Sequence, residues 1–354
     1  MKPLHDKRIL ITGGTGSLGK VLVRRLLTGE MGIPKKLIVF SRDEAKQHFM
    51  RVEYMQKKVV TDEVIYQKLD QILEFQIGDV RDYHSVSSAL RNADVVFNAA
   101  ALKQVPTCEY FPYQAVMTNI SGPENIVRAI EEQQLPIGIV VGVSTDKACK
   151  PVNVMGMTKA IQERVFITAN LRCPDTRFIC VRYGNVLASR GSVIPLFHDQ
   201  ILRGGPITIT TPDMTRFLLS LDQAVDTIFA AVSGANRGET YIPRVPSARI
   251  VDIAKALVES RPINIKIIGI RPGEKIHEIL ISEEEANRVY DRGEFYAIAP
   301  ILPELRSSDK TESVLDGEYS SGNDVIDYKH VVELLKQQKL MVGQVSLENQ
   351  ELLR

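Results

Sequence analysis

The run Ser144-Thr145-Asp146-Lys147 puts hydroxyl, carboxyl and amine groups on adjacent residues directly after an apolar stretch. An acid beside a base can move two protons in one reaction, provided that burial and neighbouring charge bring both close to neutrality. A nearby positive charge would lower the Lys147 pKa and make it the base, with Asp146 as the acid and Thr145 bonded to a reacting hydroxyl. The plain alternative is a capped strand end carrying a surface ion pair. A little further on, Met155-Gly156-Met157-Thr158-Lys159 sets Met155 and Lys159 one helical turn apart, on one face. A thioether exchanges no proton, so of that pair only Lys159 can.

A second constellation is Thr12-Gly13-Gly14-Thr15-Gly16-Ser17-Leu18-Gly19, between an apolar β-type run and a helical pattern. Glycines there allow a sharp turn and a close approach to a pyrophosphate, whose charge the free amides at the helix start would hold. That context favours a dinucleotide over an empty turn. Where a carboxylate would meet an adenosine ribose the chain offers Ser41-Arg42, which suits a 2′-phosphate and so NADP over NAD; Asp43 works against this reading. Gly78-Asp79-Val80 can hold the adenine. Asn98-Ala99-Ala100-Ala101 supplies small residues where backbone must approach the cofactor.

These groups need a frame. Arg8–Thr12 predicts a first strand, and Lys20–Thr28 a helix whose apolar face is Val21, Leu22, Leu26 and Leu27. Lys36–Phe40, Leu73–Ile77, Asp94–Asn98, Ile137–Val143 and Arg177–Tyr183 predict further strands, with helix-length segments such as Gln114–Glu132 and Met155–Asn170 between them. Strands that are apolar throughout and alternate with helices predict an α/β fold, a doubly wound parallel sheet covered on both faces. Such sheets bind ligands at the carboxyl ends of their strands, where all the residues above fall. After about Val186 glycines and prolines break the rhythm. The expected organisation is a sheet domain over residues 1–188 with a return strand near 239–243, a smaller substrate-binding lobe over 189–335, and a tail over 336–354 that begins within an amphipathic helix, Lys329–Leu340.

The 354 residues carry 44 basic against 43 acidic side chains, a net charge of +1, so no global field draws the chain onto nucleic acid or an anionic membrane. With 25% charged and 44% hydrophobic residues, extended disorder is excluded. The longest nearly apolar run, Leu135–Val143, is far short of the ~18 residues that span a bilayer. Met1 to Arg8 shows no apolar leader, and Cys108, Cys149, Cys173 and Cys180 show no CxxC or metal spacing; both point to the cytoplasm. His198, His277 and His330 have no partner at metal-ligand spacing, so no metal is expected. Lys57 and Lys58 read as a solvated helix face, without the aromatic residues that nucleic acid would call for.

Taken together, GGTGSLG, FSRDE, GDVRD, NAAALKQVP, STDKA, VRYGNVLASRGSVIP, MTRF and RPGEKIHE resemble the UDP-N-acetylglucosamine 4,6-dehydratases. These are extended short-chain dehydrogenase/reductases with a Rossmann core, and the resemblance spans residues 5–335 or thereabouts. It implies a tightly held NADP, regenerated each turnover, that takes a hydride from sugar C4; water is lost across C5 and C6, and the hydride returns to C6. It gives Thr145 the hydroxyl being oxidised, Asp146 the leaving C6 hydroxyl and Lys147 the C5 proton. It also places Lys103 near the sugar or phosphate, Asn185 as the substrate-binding amide, Arg216 and Arg271 on the diphosphate and Glu274 on ribose hydroxyls.

The superfamily has a tyrosine where this chain has Met155. The base for C4 oxidation is therefore open between Lys159, Lys147 and a water held by Thr145. Methionine here is similar to the inverting branch that makes capsule and O-antigen precursors, whose product has the L-arabino configuration. It equally allows a C5-retaining dehydratase, a 5,6-ene product or an impaired enzyme. A non-catalytic NADP-binding regulator is the reading from another class, against which the intact Asp146, Lys147 and Lys159 argue. The resemblance further implies a homo-oligomer, from dimer to hexamer.

Overall fold

The computed structural model describes residues 2–60, 69–187, 192–306 and 313–344, with 57–60 and 69–70 by backbone alone. The expected domain boundary between 188 and 189, the side chains of Lys57 and Lys58 and the tail beyond 344 lie outside the described residues. Strands β1 (Arg8–Thr12), β2 (Lys36–Ser41), β3 (Leu73–Ile77), β4 (Val95–Asn98), β5 (Ile139–Val143) and β6 (Arg177–Val181) pair in parallel in the order β3-β2-β1-β4-β5-β6. The longer helices are α1 (Ser17–Leu27), α2 (Glu44–Val60), α3 (Tyr83–Leu90), α4 (Gly122–Gln133), α5 (Val154–Arg172), α6 (Val193–Leu202), α7 (Leu221–Gly234), α8 (Ile250–Val258) and α9 (Tyr328–Gln337).

Successive strand residues face opposite sides, and here both sides are apolar. Ile9, Ile11, Leu37, Val39 and Phe97 pack on α1 and α7, while Leu10, Ile38, Phe40 and Val96 pack on α3, α4 and α5. The doubly wound parallel sheet expected from the sequence is therefore the observed core. Each large apolar side chain so buried contributes about 1.5–3 kcal/mol. A third cluster joins α6, α8 and α9 through Phe197, Leu257 and Leu335 and is separate from the sheet core.

The remaining strands are short: β7 (Ile207–Ile209), β8 (Thr215–Phe217), β9 (Thr240–Pro243), β10 (Ser247–Arg249), β11 (Ile265–Ile267), β12 (Ile279–Ile281), β13 (Val289–Asp291), β14 (Phe295–Ile298) and β15 (Tyr319–Ser320). β9 returns to the sheet parallel to β6, and β14 and β13 continue it antiparallel to make nine strands. The others form the pairs β7·β11, β8·β10 and β12·β15.

Two differences from expectation have local causes. The helix expected from Gln114 to Glu132 is a short helix, Pro112–Val116, then a π turn, Met117–Ser121, then α4. Pro123 lacks an N–H and its ring crowds the preceding turn, so the ladder widens there. The β13–β14 hairpin was not anticipated, because its strands are too short for a clear alternation; its signal is the three-residue connection Arg292-Gly293-Glu294, with Gly293 at φ +71.

Candidate active site

A cleft of about 1170 Å³ runs along the carboxyl ends of the strands and beneath the segments that follow β6. At its floor Gly13 has φ +68, and a Cβ there would lie 2.8 Å from Ala100 Cα, so glycine alone lets the β1 loop press against the β4 loop. Thr12 braces the same contact from below: it donates to Asn98 Oδ1 (2.8 Å) and accepts from Ala100 N (3.3 Å), and it does not line the cleft. Helix α1 begins after Gly16 with neither a side-chain cap nor an acidic residue in its first turn. Its unpaired amides and partial positive charge form an anion seat, walled by Gly13, Thr15, Gly16, Ser17, Leu18 and Gly19.

Thr15 Oγ1 donates to Ser41 Oγ at 3.1 Å, and the Arg42 side chain beside them is 61% exposed, 4.0 Å from Asp79 Oδ2. Arg81 holds Asp79 through three hydrogen bonds, and the competing Asp43 carboxylate is bonded to Lys46. Val80, Ala99 and Ala100 complete the wall. The glycine cradle and uncapped helix start fit a pyrophosphate-bearing dinucleotide.

After β5 the chain makes one 3-10 turn, Asp146–Ala148, capped by Thr145. The start of α5 rests on it so closely that a Cβ at Gly156 would lie 2.1 Å from Lys147 O. Lys147 Nζ is thereby set among three oxygens: Asp146 Oδ1 at 3.0 Å, Asn185 Oδ1 at 2.9 Å and Glu278 Oε1 at 3.1 Å. Thr145 Oγ1 donates to Asp146 Oδ1 at 2.9 Å. Asp146 is wholly buried, beneath the cleft wall rather than in it. Among the described residues, Asp146 Oδ2 and Glu278 Oε2 are buried without a hydrogen-bond partner.

Burial raises the Asp146 pKa above the ordinary carboxylate range, with Glu278 adding to the rise and Lys147 opposing it. Burial disfavours the Lys147 ammonium, yet Asp146 and Glu278 overcome this and raise its pKa. The expectation that a neighbouring positive charge would lower it is thus corrected: Arg216 supplies such a charge, but two nearer carboxylates outweigh it. Burial likewise works against the Glu278 carboxylate, and Lys147 and Arg216 hold its pKa below the usual value. The lysine with the lowered pKa is Lys159, brought to about 8 chiefly by burial. Its Nζ donates to Val143 O (2.6 Å) and Gln162 Oε1 (2.5 Å), and it shares the cleft wall with Met155.

Lys103, Asn185, Arg216, Arg271 and Glu274 all line the same cleft. Arg216 is largely engaged, donating to Thr215 O, Lys275 O and Ile276 O and lying 3.8 Å from Glu278. Glu274 accepts from Arg271 N (3.3 Å) and Thr210 Oγ1 (3.4 Å), closing its own turn. Asn153 Nδ2 donates to Gly273 O at 2.8 Å and so fixes that turn to the start of α5. Sequence reasoning missed Glu278, although it ends the RPGEKIHE segment: no spacing rule links it to Lys147 far upstream. It missed Gln162 too, whose signal is its place on the Lys159 face of α5. His198, His277 and His330 bond within the fold, to Leu340 O, Thr215 Oγ1 and Asp327 Oδ1. Burial pushes the Cys149 thiol up to about 12.

A parallel sheet in this order, with a glycine loop and the α5 lysine facing one cleft, defines the Rossmann-type fold of extended short-chain dehydrogenase/reductases. The comparisons with known proteins narrow this. The chain belongs to the polysaccharide biosynthesis protein family, which it matches over residues 9–300. It is 41% identical to a UDP-glucose 4-epimerase of Rickettsia prowazekii (strain Madrid E) over 93% of this chain and 95% of the relative. It is 44% identical to the protein of the same name from Rickettsia conorii (strain ATCC VR-613 / Malish 7) over 83% of each chain. Among solved structures, Pen from Bacillus thuringiensis superposes with a TM-score of 0.85 at 34% identity, covering 96% of this chain and 99% of that one. The dTDP-glucose 4,6-dehydratase DesIV from Streptomyces venezuelae, solved with NAD bound, shares the fold (TM-score 0.64, 22% identity, 76% of this chain and 86% of that one). Among the described residues no helix is long and apolar enough to cross a membrane.

Proposed function

We propose that this chain is a cytoplasmic, homo-oligomeric NADP-dependent 4,6-dehydratase of UDP-N-acetylglucosamine that inverts C5 and serves surface polysaccharide synthesis. In this reading residues up to about 188 with β9 carry the cofactor, and the lobe that follows carries the sugar nucleotide. The observation that carries the proposal is the buried Asp146–Lys147–Glu278 cluster. Elimination across C5 and C6 needs a protonated acid and a free base together. Moving one proton along the 3.0 Å Lys147–Asp146 hydrogen bond turns the ion pair into such a couple.

Asp146 then gives its proton to the C6 hydroxyl by way of the Thr145 hydroxyl, which bonds to it at 2.9 Å and lines the cleft; the C6 hydroxyl leaves as water, and Lys147 takes the C5 proton. With the C5 proton taken, Lys147 and Asp146 are again the ion pair they began as; inversion follows when the C4 hydroxyl proton, carried by Lys159 and water, reaches C5 on the face opposite the one Lys147 deprotonated. Lys159, as the amine with the lower pKa, accepts the C4 hydroxyl proton that Met155 cannot. That proton replaces the one lost with water, so the protein ends each turnover as it began. The glycine cradle would hold NADP and Arg42 would meet its 2′-phosphate; when bound, the cofactor would supply the hydride chemistry at C4 and C6. Lys103, Arg271 and the amide nitrogen of Asn185 bind the sugar diphosphate, Arg216 stiffens their wall, and Glu274 accepts from the ribose.

A 4-epimerase is the second reading, because the Rickettsia relatives carry that name. Epimerisation breaks no bond at C5 or C6 and leaves the buried cluster without a task. Mass spectrometry after incubation with UDP-N-acetylglucosamine decides: loss of one water without net cofactor consumption is expected, and the bound cofactor released on denaturation should be NADP. Unchanged mass with an altered C4 configuration by proton NMR would establish the epimerase instead. Unchanged mass and configuration would favour a regulator, and a D-configured 4-keto product would refute inversion.

A further inference from the structure

The turn that gives Thr145 and Lys147 to the cleft gives Ala148 and Cys149 to a second cavity, of about 580 Å³. Five cationic side chains line it, Lys150, Arg164, Arg182, Arg288 and Arg306, against the carboxylates Glu163, Glu284 and Glu285. Arg182 occupies both Glu163 and Glu285, and Lys150 pairs with Glu318 at 3.0 Å. Glu284 is exposed and bonded to Ser282. Arg164, Arg288 and Arg306 therefore have no carboxylate of their own among the described residues.

Two of the three are aimed by backbone carbonyls. Arg288 donates to Ala299 O at 2.6 Å, and Arg306 to Pro300 O and Ile301 O at 3.0 Å each. Burial lowers the Arg288 pKa, and Arg164, Arg306 and Arg182 lower it further despite Glu285. Guanidinium groups gathered around one space that holds five cations against three carboxylates repel one another until an anion enters, and their planar forks suit phosphate oxygens. Among the described residues no aromatic side chain lines the cavity, so none of them would stack on a base. We propose that this cavity is a binding site for a compact phosphate anion, inorganic or the phosphoryl end of a small metabolite, held by Arg164, Arg288 and Arg306. It is independent of the dinucleotide and sugar-nucleotide cleft.

Pyrophosphate is the probe, titrated calorimetrically in the presence of saturating NADP and UDP, which occupy both anion seats of the cleft but not this cavity. Arg164 and Arg306 are exposed and outside both the core and the catalytic cluster, so the double variant Arg164→Gln/Arg306→Gln should fold and keep its basal rate. The wild type should bind pyrophosphate, and the double variant should bind it about tenfold more weakly or worse. Phosphate competing as well as pyrophosphate would assign the site to the free ion; pyrophosphate alone would assign it to a phosphorylated metabolite. Equal affinity in the two proteins would overturn the proposal. So would a changed sedimentation state of the variant with unchanged pyrophosphate affinity, which would make the arginines a subunit contact.

Discussion

Two buried cations, each between two carboxylates, lie at the ends of neighbouring strands, and they are built to opposite standards. Arg182 donates to Glu163 at 3.0 and 2.6 Å, to Glu285 at 2.7 and 3.0 Å and to Leu280 O at 2.8 Å, so every carboxylate oxygen has a partner. Burial works against this guanidinium, but the carboxylates raise its pKa further still. Such a cation holds its proton at any working pH. Lys147 also stands between two carboxylates, yet among the described residues one oxygen of Asp146 and one of Glu278 are left without a partner. Its proton can move. A saturated ionic cluster is a bracket, whereas an unsaturated one keeps places for reacting atoms.

The comparison breaks most visibly at Arg182. Arg182→Met leaves Glu163 and Glu285 buried and uncompensated, a loss of about 3–5 kcal/mol and a melting temperature lower by roughly 5–10 °C. Scanning calorimetry checks it; an unchanged melting temperature would mean that the cluster holds nothing. Asp146→Asn should do the reverse. It removes a buried, half-satisfied carboxylate while keeping its shape, so melting should stay within about 2 °C while kcat falls by about 10²–10³-fold. A variant that melts much lower but turns over normally would make Asp146 part of the scaffold.

The sequence disclosed the first constellation only in part, for a physical reason. Glycine loops, apolar strands and the Thr145-Asp146-Lys147 run are local: each is a consequence of what adjacent residues can do, and each appears in the structure where periodicity placed it. Glu278 and the Arg182 cluster are made by tertiary contact between β5, β6, α5 and the segments around β12, and no local pattern reports such a meeting. The sign of the Lys147 shift went wrong for the same reason. The 3.1 Å approach of Glu278 to Lys147 is set by tertiary contact, and no motif discloses it.

Glu278→Gln sharpens the contrast by removing one carboxylate from the unsaturated cluster alone. Glu278 raises both the Asp146 and the Lys147 pKa, so without it both should fall, and the pH–rate profile should move towards acid. With the Lys147 hydrogen bond still available to the amide oxygen, the loss in kcat should be about tenfold. A profile that keeps its position would show that Glu278 only fills space.

The smallest effect is read without mutation, from the dependence of kcat on pH. Lys159 is brought to about 8, chiefly by burial, so below that pH the buried amine is mostly an ammonium and cannot accept the C4 hydroxyl proton. Activity should therefore rise with pH, by about tenfold between pH 7 and pH 9, until loss of the proton that Lys147 and Asp146 share turns the curve down. Stability carries the same sign. The folded state binds fewer protons than the unfolded state between the folded value of about 8 and the ordinary 10.5, so the cost of burying this charge is complete below that window. The cost is relieved as pH rises through it. Lys159→Met should remove both trends: it loses the rising limb together with activity, and its melting temperature gains on the wild type at pH 7 but not near pH 10. A rising limb that persists in a slow Lys159→Met enzyme would move the C4 base to Lys147 or to a water on Thr145, and the two lysines would then belong to one cluster rather than two.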